Sequence, residues 1–428
     1  MKNIAEFAAK YFDYDTTRLI LDKNRYPDID METVVACIES RRKLKGKVQE
    51  WYLDQRLVFP AKLSAEQCSS SATASYKADL AERITGRPKG EWKIADLTGG
   101  MGIDSWFFSK KAAKVLYNEM QLKLCKAAEY NFSILEALNI EISNHRIDPV
   151  TSADPLSATP KEVLKGFAPD IIFLDPARRG EDGKKVFLIE ECTPDVLSLK
   201  ADLHDICRHI LIKLSPMADI SMVCNRLGET CREVHVVASE GECKELLIWM
   251  DREWKGEYRI TAVELRGNGM ASPIAFLPSE EKSQTRLWAH KGLLDSTADR
   301  FLFIPGKSLT KSGAFNLISE RFGIYKMGAS THAYITEDIS KTGMLMEFGK
   351  VYRINQILPL DKKSIRSTGK EYPRAEVTAR NIPMDSDTLR KKLGVTSGDD
   401  AHIFGLKSDC AGNLLIITDK VLSSDELA

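Results

Sequence analysis

Long apolar runs are missing from this chain. No window approaches the roughly 18–20 consecutive apolar residues that a membrane-crossing helix needs, so no membrane partner is expected. The first residues, MKNIAEFAAKYFDYD, lack an apolar stretch followed by small residues, which argues against a signal peptide. Cys-x-x-Cys pairs are missing as well. The nine cysteines are an odd number at irregular spacing, and they read as reduced thiols of a cytoplasmic protein. Histidine is sparse: the seven are scattered, and His204 and His209 stand five apart rather than the four that share a helix face, so no metal site is expected. Net charge is missing too, because 61 Lys+Arg balance 61 Asp+Glu; binding of nucleic acid by global attraction alone is excluded, though a local basic surface is not. Repeats and low-complexity tracts do not occur.

What is present is a normal globular composition, 43% hydrophobic over 428 residues, which implies two to four domains. Residues 1–85 read as helical, with Met31–Glu39 and Gly46–Leu57 as segments and the basic run Arg41–Lys47 between them, either a solvated face or a phosphate contact. Ser64 with Gln67 three positions on resembles a capping box. From 86 to 255 strands and helices alternate. Strand candidates end at Asp96, Glu119, Asp175 and Leu214, and a closing pair (Glu233–Val237 and Leu246–Met250) is too close in sequence for a crossover helix. That pattern is α/β, a Rossmann-like parallel sheet whose last strand is antiparallel.

The first strand runs into Asp96-x-x-Gly99-Gly100-x-Gly102 and then a helix. Glycines there let backbone approach a ligand closely, and Glu119, ending the second strand, can accept from ribose hydroxyls. The dinucleotide pattern G-x-G-x-x-G fails at Ser105, and an Asp at the strand end suits a cationic ligand better than a pyrophosphate. The set resembles class I S-adenosylmethionine-dependent methyltransferases, whose seven-stranded sheet is ordered 3-2-1-4-5-7-6. The resemblance implies S-adenosyl-L-methionine as cofactor, held by Asp96, Gly99, Gly100, Gly102 and Glu119. It implies an adenine contact from Asp154, with Asp148 as competitor, and a contact to the methionine carboxylate from Gln67, Thr73 or Lys77.

Asp175-Pro176-Ala177-Arg178-Arg179 follows the fourth strand, where such enzymes position the acceptor. It resembles the Asp-Pro-Pro-Tyr loop of amino methyltransferases, with Arg178 in place of the stacking aromatic. It also resembles the Asp-Pro-Ala-Arg loop of RNA 5-methyluridine methyltransferases, but Lys213-Leu214-Ser215-Pro216-Met217 lacks the nucleophilic cysteine of that chemistry. Third, Lys77, Asp175, Lys213 and Glu245 resemble the Lys-Asp-Lys-Glu set of ribose 2′-O-methyltransferases, in which a lysine of lowered pKa removes the hydroxyl proton. Asp175, Pro176, Arg178 and Lys213 are the candidate catalytic residues: Asp175 to orient the acceptor, Arg178 or Arg179 to hold a base or phosphate.

Beyond 255 short strands and helices form two small α+β domains, expected at 256–348 and 349–428. From 361 to 396 nine Lys/Arg face five Asp/Glu, a local basic excess that includes Arg390, Lys391 and Lys392. Glu66-Gln-Cys-Ser-Ser-x-x-Thr73-Ala-x-Tyr-Lys77, the 96–104 loop, Asp175–Arg179 and Arg380-Asn-Ile-Pro…Leu389-Arg-Lys-Lys-Leu393 resemble the bacterial class I methyltransferases that carry ferredoxin-like and THUMP-like C-terminal domains. The resemblance implies a structured RNA substrate (tRNA or rRNA). Methylation of a base nitrogen is expected first and of ribose 2′-O second; the alternative is a non-catalytic RNA-binding protein on a methyltransferase scaffold.

Overall fold

The computed structural model describes residues 1–177, 189, 192–267, 269–270, 273–283 and 287–421. They form two compact units, Met1–Val234 with Lys244–Tyr258, and His235–Cys243 with Arg259–Ala428.

The first unit opens on six helices: α1 (Lys2–Lys10), α2 (Thr16–Leu21), α3 (Met31–Leu44), α4 (Gln49–Leu53), α5 (Lys62–Gln67) and α6 (Ser71–Thr85). Two sequence expectations are corrected here. Helix α3 runs to Leu44, and Arg42, Lys43 and Lys45 are exposed, but Arg41 turns inward: it is 3% exposed and donates to the carbonyls of Tyr52, Asp54, Gln55 and Leu57, so it ties α3 to α4 and the chain after it. Ser64 lies inside α5, whose N-cap is Ala61. The capping box belongs to α6, where the Ser70 hydroxyl accepts the Thr73 amide and the hydroxyl of Thr73, at the third helical position, accepts the Ser70 amide.

The sheet follows: β1 (Lys93–Asp96), α7 (Ile103–Ser109), β2 (Lys114–Asn118), α8 (Leu122–Ile134), β3 (Ile140–Ser143), a small parallel pair β4 (Arg146–Ile147) and β5 (Ser157–Ala158), α9 (Pro160–Val163), β6 (Ile171–Leu174), α10 (Val196–Ile206), β7 (His209–Leu214), α11 (Ile220–Leu227), β8 (Cys231–Ser239) and β9 (Glu242–Asp251). The main strands lie in the order β3-β2-β1-β6-β7-β9-β8. β3, β2, β1, β6 and β7 run parallel and β9 antiparallel to β7. This is the class I order. Every residue of β6 is buried, as expected of a central parallel strand covered on both faces, which is why it reads as the unbroken apolar run Ile-Ile-Phe-Leu. The carboxyl ends of β1, β2, β6 and β7 lie side by side and carry Asp96, Glu119, Asp175 and Lys213.

The second unit contains β10 (Arg259–Arg266), paired antiparallel with β11 (Gly269–Met270) and β12 (Ile274–Phe276). After α12 (Pro278–Ser283) and α13 (Lys291–Leu294) come β13 (Arg300–Pro305), α14 (Lys307–Ser312), α15 (Phe315–Phe322), β14 (Tyr325–Gly328), β15 (Thr331–Thr336), α16 (Thr342–Met346), β16 (Gly349–Pro359), α17 (Lys362–Glu371), β17 (Arg374–Arg380), α18 (Ser386–Leu393), β18 (Thr396–Ser408) and β19 (Gly412–Val421). The strands from β13 onward form one sheet, β14-β15-β13-β16-β19-β18-β17. Alternate residues of β18 and β19 feed two cores. Phe404, Leu406, Leu414 and Ile416 pack with Leu302 and Ile335, whereas Ile403, Leu415 and Ile417 pack with Val377 and Leu389. Among the described residues no helix is long and apolar enough to cross a membrane.

Candidate active site

The Gly-rich turn after β1 is built against two aromatic rings. A Cβ at Gly99 would stand 2.2 Å from the Tyr117 ring, and one at Gly102, whose φ is +87°, would stand 2.5 Å from Phe132. No side chain fits there, so the backbone of the turn is left bare. Tyr117 donates its hydroxyl to the Gly100 carbonyl (2.6 Å), and Glu119 accepts the Gly100 amide (2.9 Å) on one oxygen and the Gln121 amide (2.8 Å) on the other. Each Glu119 oxygen keeps a further acceptor site. Burial raises the Glu119 pKa, against the pull of the two amides. Asp96 is buried and accepts from the Ser105 hydroxyl (2.6 Å) and the Thr98 amide (3.1 Å). Burial, helped by Asp104 and Asp175 and opposed by those hydrogen bonds, pushes its pKa up to about 8.

A chain of ion pairs extends from this turn. Lys77, fully buried on α6, donates to both oxygens of Glu245 (2.8 and 3.0 Å) and to Ser69 (2.9 Å), and stands 3.3 Å from Asp104. Ser69 in turn donates to Asp104 (2.8 Å). Lys213 pairs with Asp175 through Oδ2. Burial opposes the Lys213 charge, but Asp175, Glu245 and Asp104 outweigh it and hold its pKa above the ordinary lysine value. Glu245 is raised by burial and pulled down by Lys77 and Lys213. Asp175 is positioned by its own amide, which donates to the Thr98 hydroxyl (2.5 Å), and by the buried Pro176 and the bridge between Ala177 and Thr193 that follow. Two ammonium groups thus face three carboxylates before Asp96 is counted. A cationic ligand beside the turn completes that balance, and the bare Gly99–Gly102 backbone with the open acceptor sites of Glu119 fits S-adenosylmethionine.

The residues expected from sequence do not all meet. Asp96, Gly99, Gly100, Gly102 and Glu119 form one turn, and Lys77, Asp175, Lys213 and Glu245 form the adjoining ion chain. Thr73 is buried and its hydroxyl accepts the Ser70 amide in the capping box of α6. Asp154 and Asp148 both pair with Arg146 (2.7 and 2.9 Å), and Asp148 also accepts from Ser157 (2.6 Å). Arg178 and Arg179 lie outside the described residues. Arg390 pairs with Asp387 (3.1 Å) and Glu376 (3.8 Å), so only Lys391 and Lys392 of that triplet are unpaired among the described residues. Sequence reasoning missed Asp104, Ser69 and Thr98. Asp104 had a signal, an acid in the first turn of the helix that opens at Gly102; Ser69 and Thr98 had none beyond their adjacency to named motifs. Cys68 lies near Lys213 and Asp104, but burial pushes its thiol up and it donates to the Ala65 carbonyl, which makes it a poor nucleophile.

A ferredoxin-like family matches residues 301–357, and a family described as THUMP domain-like matches residues 349–420. The C-terminal third is thus a ferredoxin-like domain followed by a THUMP-like one. The two matches overlap on β16, the strand that joins β13 to β19 in one sheet. Over 99% of its length the chain superposes on 98% of a protein of Porphyromonas gingivalis W83 described as a "putative methyltransferase", with a TM-score of 0.80 and 28% identity. A SAM-dependent methyltransferase from Aquifex aeolicus (14% identity, 42% of this chain and 92% of that one, TM-score 0.28) and a methyltransferase from Geobacter sulfurreducens (14%, 41% and 77%, 0.27) are more distantly similar. No curated protein matches.

Proposed function

We propose that this chain is an S-adenosylmethionine-dependent methyltransferase of structured RNA, tRNA or rRNA, in the cytoplasm, and that it methylates a base nitrogen. The single observation that carries the reading is the adjacency of the cation-complementing turn (Asp96, Gly99–Gly102, Glu119) to the held carboxylate of Asp175 at the ends of neighbouring strands. The likeness to the Porphyromonas protein and the THUMP-like match support it. In this reading residues 86–255 carry the chemistry, 256–348 and 349–428 dock the RNA, and 1–85 pack as the helical region.

The bound cofactor supplies an electrophilic methyl group. Asp175 orients the acceptor: Lys213 holds Oδ2, leaving Oδ1 to accept the N–H of an exocyclic amine. Catalysis is then mainly positioning, with the rigid Pro176 backbone fixing the approach. A ribose hydroxyl is the second reading, favoured by the meeting of Lys77, Asp175, Lys213 and Glu245. It ranks second because Lys213 is held protonated by its carboxylate neighbours, the opposite of what a lysine base requires.

Asp175→Ala separates the steps. Transfer of labelled methyl to RNA should fall by about 100-fold or more, while binding of S-adenosylmethionine, measured by calorimetry, stays near that of the unaltered chain. Parallel loss of both would make Asp175 structural and remove it from the acceptor site.

A further inference from the structure

Helix α17 carries Lys362, Arg366 and Lys370 at four-residue intervals. Residues so spaced share one face, about 6 Å apart along the axis. All three are exposed. They line a cavity of about 590 Å³ whose other wall is Lys392 on α18, and whose floor is Ile365, Leu393 and two glycines, Gly369 and Gly394. The helices meet at Gly369, where a Cβ would lie 1.8 Å from the Leu393 carbonyl oxygen, so only glycine lets α17 and α18 come this close. No carboxylate lines it, and none of the four cations pairs with a carboxylate among the described residues. On a chain of zero net charge, every other basic residue of 374–390 is differently placed: Arg374 and Arg390 face acids, and Arg380 donates to the His332 carbonyl.

We infer that the groove between α17 and α18 binds the phosphodiester backbone of an RNA strand, with Lys362, Arg366 and Lys370 taking successive phosphates and Lys392 clamping from the other side. This rests on the RNA reading above and adds to it the residues of the docking surface. The spacing selects the occupant. A single phosphate would use one or two of these cations; a ladder with a step of about 6 Å suits a linear polyanion whose charges repeat at a similar step. The interaction is with phosphates rather than base edges, so it positions without reading sequence.

The test uses the full chain and fluorescently labelled bulk tRNA, with binding followed by anisotropy from about 50 to 200 mM salt. The Lys362→Ala/Arg366→Ala/Lys370→Ala variant should keep its thermal midpoint, since the three side chains make no ion pair among the described residues. It should bind at least tenfold more weakly, and its log–log salt slope should flatten by about 2 to 3. Lys392→Glu alone should weaken binding in the same direction. Unchanged affinity and slope in both variants, with the unaltered chain binding RNA, would overturn the groove and leave the RNA reading standing. No RNA binding by the unaltered chain would overturn both. Displacement of the RNA by poly-glutamate at equal charge concentration would reassign the groove to an acidic protein.

Discussion

Asp96 holds its proton near neutrality, and that proton is linked to whatever binds beside it. Its pKa of about 8 lies above the ordinary carboxylate range because it is buried, with Ser105 and Thr98 opposing. The sign follows. A carboxyl whose folded pKa is raised favours the folded state fully at low pH, and that contribution is lost as pH rises toward about 8. A cationic ligand favours the ionised form, so S-adenosylmethionine should expel up to one proton on binding at about pH 7, and its affinity should rise with pH and level off above 8. Calorimetry in two buffers of different ionisation enthalpy measures this directly. Asp96→Asn should abolish the proton release; release that persists in the variant, or none in the unaltered chain, would contradict the assignment. At this scale the sequence exposed Asp96, Gly99 and Glu119, because a strand end, a glycine turn and a second strand end are local patterns. It did not expose Ser69 or Thr98, whose importance comes from contacts 35 and 77 positions away in the chain.

At the scale of elements, the helices that the sequence misread were misread for one reason: local patterns do not report burial. The segment Arg41-Arg42-Lys43 looks like a solvated face, and Arg42 and Lys43 are exposed, yet the Arg41 guanidinium sits over the Phe59 ring while bonding four carbonyls. A planar fork with five donors can do this where a lysine cannot. Removing it orphans buried acceptors, so Arg41→Ala should cost about 3 kcal/mol of stability. Lys43→Ala, which loses only an exposed pair with Glu66, should cost under about 0.5 kcal/mol. Denaturant unfolding monitored by tryptophan fluorescence distinguishes them; equal costs would mean that the Arg41 bonds contribute nothing net. The box at Ser70–Thr73 escaped for a related reason, because Thr replaces the usual Glu or Gln at the third position. Strands were more legible than helices. β6 and β7 stand out because burial on both faces demands continuous apolar runs, whereas β18, half polar and 13 residues long, gives no such signal.

At the scale of the whole molecule, the alternation of strands and helices made the parallel sheet legible, and its strand order came with the resemblance to the class I methyltransferases. The single sheet through β13, β16 and β19 was not legible, because antiparallel pairing over long sequence separations leaves no local trace. The proposed chemistry draws on ends of strands far apart in sequence: β1, β2, β6, β7 and the start of β9. The measurement that bears most directly on the proposed activity combines them all. Purified chain, isotope-labelled S-adenosylmethionine and total RNA from cells lacking this gene are incubated together, and the RNA is digested for nucleoside mass spectrometry. The expected result is one labelled nucleoside with the methyl on the base fragment, in one RNA size class, absent with Asp175→Ala. Label on the ribose fragment would move the Lys77–Glu245 and Lys213–Asp175 chain from support to catalysis, and no label in any RNA despite cofactor binding would contradict the RNA methyltransferase assignment.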